Sequence, residues 1–203
     1  MTLLTQGKSW CFALLSGLVF FLGSAALAHA EDDLTIHSAL LRPCEKNLKY
    51  DCVKVDVLLH VDAPLETVWQ VITDYQHAAQ FISNLRSSAE TPLSPNTLKV
   101  EQVGRVGWGV LNVDIQTVYN VSLNPIEKKI QSVSVGGDLK TVSMFTQLKP
   151  LANGATLLEY SVVTDPGPWA PLAATEALLK QQARQSFTDL KREILRRANA
   201  NLK

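Results

Sequence analysis

Few side chains in this 203-residue sequence stand in a pattern that makes or breaks covalent bonds. Beyond residue 30 the histidines are His37, His60 and His77. None has the H-x-x-x-H or H-E-x-x-H spacing that sets two imidazoles on one metal ion. The carboxylates form no metal-like cluster, and there is no G-x-S-x-G elbow or phosphate-binding loop. Gly104, Gly107 and Gly109 fall in a strand and its turn rather than ahead of a helix, so they are no dinucleotide fingerprint. Arg105, Glu159 and Tyr160 remain as polar groups that would act on a substrate if they turned into a cavity. Charges on strands usually face water, so no catalytic residue is assigned, and neither metal nor cofactor is expected.

The cysteines carry chemistry of another kind. Residues 10–28 hold no charge, Lys8 precedes them, and Ala28-His29-Ala30 is a small-residue cleavage site followed by Glu31-Asp32-Asp33. That is the pattern of a secretory signal peptide over residues 1–30, cleaved after Ala30; an uncleaved anchor is the alternative. Cys11 leaves with the leader, and Cys44 and Cys52 stay, with seven residues between them. In an oxidising compartment such a pair reads as a disulfide closing a small loop. A redox pair or half a metal site fits the spacing less well. The localisation expected is periplasmic or secreted. Nineteen Lys+Arg balance nineteen Asp+Glu, which lacks the basic footprint of a nucleic-acid binder.

Binding is better served than catalysis. Trp69, Phe81, Trp108, Tyr119, Phe145, Tyr160, Trp169 and Phe187 are spread over elements that would surround a central cavity, and an apolar pocket with a few polar points suits a small molecule. Each of these is also an ordinary core residue in the plainer reading. Trp108 and Trp169 sit among turn residues, which makes them candidates for a cavity mouth or a membrane-interface anchor.

The elements that must position these side chains follow from periodicity. Leu172, Leu179, Ala183, Phe187, Leu190, Ile194 and Ala198 form one stripe on a helix over 171–198. Its other face is basic, with Lys180, Arg184, Lys191, Arg192 and Arg196, a feature that attracts an anionic lipid surface or, in the plainer reading, is a solvated helix face. Residues 53–61 alternate as a strand. Leu65, Val68, Trp69 and Ile72 mark an amphipathic helix after Asp62-Ala63-Pro64, and a short helical turn is expected over 77–83. From Leu85 the period falls to 2, giving strands over 85–91, 97–107, 110–123, 128–136, 140–149 and 155–164 with turn signals between them. Short connections imply an antiparallel meander. Ser132, Ser134 and Gly136 share a face with Ile130, so this strand either leaves volume unfilled or is a thin edge strand. Residues 31–52 are expected to be a lead-in loop pinned by the cysteines, and 53–200 a single domain.

The run Val61-Asp62-Ala63-Pro64-Leu65-Glu66-Thr67-Val68-Trp69-Gln70-Val71-Ile72-Thr73-Asp74-Tyr75, followed by Phe81, resembles the opening of the START-like, or SRPBCC, superfamily. Asp165-Pro166-Gly167-Pro168 before the closing helix resembles its polyketide cyclase/dehydrase-like and coenzyme Q-binding START branch. The resemblance implies an α+β helix-grip fold, a curved antiparallel sheet of about six or seven strands wrapped around a long C-terminal helix. Members include lipid carriers, receptors and aromatase/cyclases, so function has to come from the site. The leader and the two-cysteine lead-in set this chain apart from cytoplasmic relatives. The expectation is an exported protein holding a hydrophobic small molecule, lipid or isoprenoid-like, between sheet and helix, with transient membrane contact and no indicated protein partner. The alternatives are a cyclase- or hydrolase-type enzyme using Arg105, Glu159 or Tyr160, and an envelope interaction protein with a filled core.

Overall fold

A computed structural model describes residues 33–44, 50–108, 111–138, 140–166 and 171–200, with side chains at all of these except 108, 111 and 140–142. The chain order is β1 (Leu34–Leu41), β2 (Cys52–Val61), α1 (Leu65–Ile72), a 3-10 turn (Tyr75–His77), α2 (Ala78–Phe81), β3 (Leu85–Ser94), β4 (Thr97–Trp108), β5 (Leu111–Asn124), β6 (Lys129–Gly137), β7 (Lys140–Pro150), β8 (Thr156–Asp165) and α3 (Leu172–Ala200). One antiparallel sheet takes the order β1-β2-β8-β7-β6-β5-β4-β3. The expected helix-grip fold is present, with eight strands rather than six or seven.

The additional strand is β1, in the stretch expected to be a loop. Leu34 and Ile36 are buried while Thr35 and His37 face out, an alternation too short to stand out against the polar residues around it. Its partner supplies what propensity does not: β1 pairs along its whole length with β2, ending at Leu41 opposite Cys52. The Cys44–Cys52 disulfide sits just beyond that pairing, beside a hydrogen bond from the Cys44 N–H to the Tyr50 carbonyl. The signal-peptide expectation falls on residues 1–30, outside the described residues.

Pro92 lies within β3, which runs three residues past its expected end. This is tolerated because β3 is the last strand of the sheet and has a neighbour on one side only. β6 is an interior strand, not a thin edge. Ile130 and Ser132 are buried, whereas Val133 and Val135 lie half exposed on the outer face. Gly137, which ends β6 opposite Thr117, has a positive φ of 98°, and a Cβ there would sit 2.3 Å from the Gln116 carbonyl oxygen; only glycine fits. The β6–β7 pairing covers only Lys129–Ser132 against Met144–Gln147.

α3, 29 residues long and so about 43 Å, packs on β1, β2 and α1, one side of the curved sheet. Its fully buried residues are Phe187, Asp189, Glu193 and Ile194, all in the C-terminal half. Burial of Phe187 and Ile194 contributes about 1.5–3 kcal/mol each. Asp189, with 1% of its side chain exposed, fixes the helix in register. Its Oδ2 accepts from the Ser83 N–H at 2.9 Å, the Ser83 hydroxyl at 2.5 Å and the Gln185 amide at 3.1 Å, and Oδ1 accepts from Arg192 at 3.0 Å. Glu193 binds Arg196 and Arg197, and Arg197 reaches Asp74 at 2.8 Å, where α1 ends. Most of the basic face is therefore internally paired: Lys191 also meets Asp33 at 2.6 Å.

Asp189→Ala removes the acceptor shared by the Ser83 N–H, the Ser83 hydroxyl and Gln185, and the expected loss is about 1–3 kcal/mol, read as a lower urea midpoint at unchanged m-value. The carboxylates add an acid limb to stability. Glu193 is held at about 2 against an ordinary 4.5, chiefly by the hydrogen bond from Arg196 and then by Arg197, with burial opposing. Burial raises Asp189, but its bonds from Ser83, Gln185 and Arg192 outweigh that and lower it. A depressed folded pKa stabilises fully above the unfolded value and is lost as pH falls through the folded one. Stability should therefore drop from pH 4.5 towards 2. In a series of urea titrations, Glu193→Gln should flatten that limb.

Candidate functional site

The offset of α3 towards β1 and β2 leaves the inner faces of β4 to β7 partly uncovered, and small or polar inward residues there do not fill the gap. Gln102 and Gly104 on β4, Thr117 on β5 and Thr146 on β7 occupy positions where a leucine would close the core. The result is a cavity of about 360 Å³, within the range of small-molecule sites. Val71, Tyr75, Phe81 and Ile82 close it at the α1–α2 end, Leu158 and Tyr160 form the β8 wall, and Leu179, Phe187 and Leu190 form the α3 wall. The N-terminal half of α3 has no fully buried residue, so it roofs the cavity without being seated in a core.

Of the expected binding residues, Phe81, Tyr119, Tyr160 and Phe187 line this space. Tyr160 and Phe187 pack with ring centroids 5.1 Å apart at 59°. Trp69 is buried in the core instead, where the Lys128 ammonium stands 5.1 Å from its ring centroid. Phe145 lies between Met144 and Thr146, both in the cavity wall, and so takes the outer face of β7. The side chain of Trp108 and all of Trp169 are outside the described residues. Reasoning from aromatics alone overlooked Tyr75, Gln102, Thr117, Met144 and Thr146. The period-2 alternation held the signal for Thr117, which shares a face of β5 with Tyr119, and for Gln102, which shares one of β4 with Trp108; on β7 the expected inward residue was Phe145, on the face opposite Met144 and Thr146.

The candidate catalytic groups part company. Glu159, between Leu158 and Tyr160, turns outward to Lys149 at 2.7 Å. Arg105 reaches the cavity rim, but its guanidinium bonds Asp114 at 3.4 Å, and Asp114 also accepts from Arg86 at 2.6 Å. Asp74 at the opposite rim is burdened by burial but held ionised by Arg197 and by His77, whose Nδ1 is 2.6 Å away. Asn84, Gln182 and Ser186 satisfy one another, with the Asn84 amide donating to Gln182 at 2.5 Å and to Ser186 at 3.0 Å. Tyr160 alone of the three candidates points fully inward. Burial raises its phenol well above the usual range, as does the proximity of Tyr119 and Tyr75. Burial raises Tyr75 in the same way, with Glu90 adding to it. Both phenols are therefore neutral hydrogen-bond donors at any pH near neutrality. Among the described residues, no group of three or more His, Cys, Asp or Glu side chains is placed to hold a metal ion.

Comparison with known proteins agrees with this architecture. The Zhui aromatase/cyclase from Streptomyces sp. R1128 superposes with a TM-score of 0.62 at 16% identity, covering 72% of this chain and 95% of its own. A START superfamily protein from Mycobacterium smegmatis gives 0.59 at 16% identity, over 70% and 97%. A STAR-related lipid transfer protein from Xanthomonas axonopodis gives 0.56 at 11% identity, over 80% and 94%. Likeness at such identities is likeness of fold. No curated protein sequence matches this one closely enough to count as a relative. A family profile described as "Polyketide cyclase / dehydrase and lipid transport" matches residues 61–191. That match takes in every element from the end of β2 to the anchored part of α3, and the chain belongs to this family.

Proposed function

We propose that the protein is exported and holds a hydrophobic small molecule, lipid or isoprenoid-like, in the cavity between sheet and α3. The observation that carries this is the cavity itself: about 360 Å³ of space, open on one side and walled mainly by apolar side chains. A filled core would leave none, which weighs against a purely structural role. Each CH2 moved from water into such a space contributes about 0.8 kcal/mol, so retention requires no catalytic group. The disulfide between Cys44 and Cys52 fits an oxidising compartment. The family's description, with its lipid transport, and the lipid transfer protein among the similar folds favour a carrier.

The open end of the sheet is where a ligand would pass. Val113, on the same face of β5 as the cavity-lining Ile115, is 58% exposed. An apolar residue at the mouth suits brief contact with a lipid surface.

Native mass spectrometry of protein purified from the periplasm without detergent, followed by organic extraction, should yield a discrete adduct of a few hundred daltons. Ile115→Trp, which puts an indole into the cavity, should abolish that adduct while leaving thermal unfolding within a few degrees of the original. Cytoplasmic retention, or an adduct that survives the filled cavity, would count against the proposal.

A further inference from the structure

The charged and polar groups around the cavity divide into those already satisfied and those not. Arg105 alternates on β4 with the inward Gly104 and turns, like Arg86, to the exposed Asp114 at the rim, and Arg197 is engaged by Asp74 and Glu193, so among the described residues no cationic side chain stands inside the cavity. Asn84, Gln182 and Ser186 are closed on themselves. The hydroxyls of Tyr75 and Tyr160 differ: among the described residues neither has a protein hydrogen-bond partner, yet both side chains line the cavity. Both are half-buried by accessibility although protein surrounds them, as expected for walls of an internal space. Thr146, which pairs with Tyr160 across the β7–β8 ladder, adds a third hydroxyl at the same wall. Both tyrosine hydroxyls are open to the cavity, so an apolar ligand that displaces water there must offer an acceptor or leave them unpaired.

We infer that the ligand is a neutral, largely apolar molecule whose carbonyl oxygen, of ketone or ester type, accepts hydrogen bonds from Tyr160 and Tyr75. This rests on the binding role proposed above and narrows it. A carboxylate would accept the same bonds but would bring a charge into a space with no free counter-ion, where desolvation outweighs the gain. A pure hydrocarbon would leave both hydroxyls unsatisfied. Probes of about a dozen non-hydrogen atoms lie at the small-ligand end for a cavity of about 360 Å³.

The test is a titration of the purified protein, stripped of any bound molecule, with 2-undecanone and with decanoate, followed by native mass spectrometry at about pH 8, where the acid is ionised. The ketone should bind at least about tenfold more tightly than the carboxylate. Tyr160→Phe keeps the ring against Phe187 and removes only the hydroxyl; it should weaken ketone binding about fivefold, the worth of one hydrogen bond. Tyr75→Phe supplies a second variant should the first perturb packing. Decanoate binding as tightly as the ketone, or ketone binding unchanged in both variants, overturns the inference while leaving the carrier role standing. If neither probe binds although the protein from the periplasm carries an extracted adduct, the inference also fails and the carrier role survives. No adduct and no probe binding would sink both.

Discussion

A single buried carboxylate governs where the long helix lies. Asp189 sits in the middle of α3, on the face that meets the turn between α2 and β3, and takes three hydrogen bonds there from Ser83 and Gln185. Hydrophobic burial is not directional, and a stripe of leucines and alanines would tolerate a slide along or around the sheet. The Ser83 N–H and hydroxyl do not tolerate it, because a shift of one turn would strand a charge in the interior. The Asp74–Arg197–Glu193 chain repeats the constraint nearer the C-terminus. With that half fixed against β1, β2 and α1, the other half can only span the remaining space.

The cavity is the consequence of this asymmetry combined with the choice of inward residues on the far strands. Gly104, Thr117 and Thr146 are too small or too polar to reach α3, so the gap persists. Among the described residues, its chemistry is that of an apolar chamber with hydroxyl donors and with charged groups kept to its edges. The ion pairs lie at its edges, where Arg105 meets Asp114 and Arg197 meets Asp74. A wall built in this way is suited to selecting by shape and by hydrogen bonding more than by charge.

Much of this was legible in the sequence. The six meander strands fall within a few residues of their expected bounds because alternation and turn residues are local signals, and α3 follows from its stripe. The opening motif was read correctly as a mark of the fold, and the structure supplies a physical reason for part of it: its aspartate, Asp74, is the partner of Arg197, 123 residues away. β1 was not legible, since a strand so brief is specified by its neighbour rather than by its own pattern. Glu159 and Tyr160 are adjacent in sequence and point to opposite faces, and only the register of β8 against β2 decides which one faces inward. Trp69 and Phe145 are aromatics of the same chemical type as Phe81, yet one packs in the core and the other stands on the outer surface. Residue type alone carries no information on that distinction.

The order of strands has a kinetic meaning as well. β3 to β8 pair with their neighbours in sequence, and each contact closes only a short loop. The seam between β2 and β8, in contrast, joins Val53 to Thr164 and Val61 to Thr156, bridging about a hundred residues. Loop-closure entropy grows with that span, and folding slows as contacts become less local. Topology therefore makes this seam the late event of folding. Until it forms, β2 and β8 both present unpaired backbone edges, the sites at which two nascent chains would join by mistake. β1, folded back on β2, covers only the opposite edge of β2, so the edge that awaits β8 stays open until the seam closes.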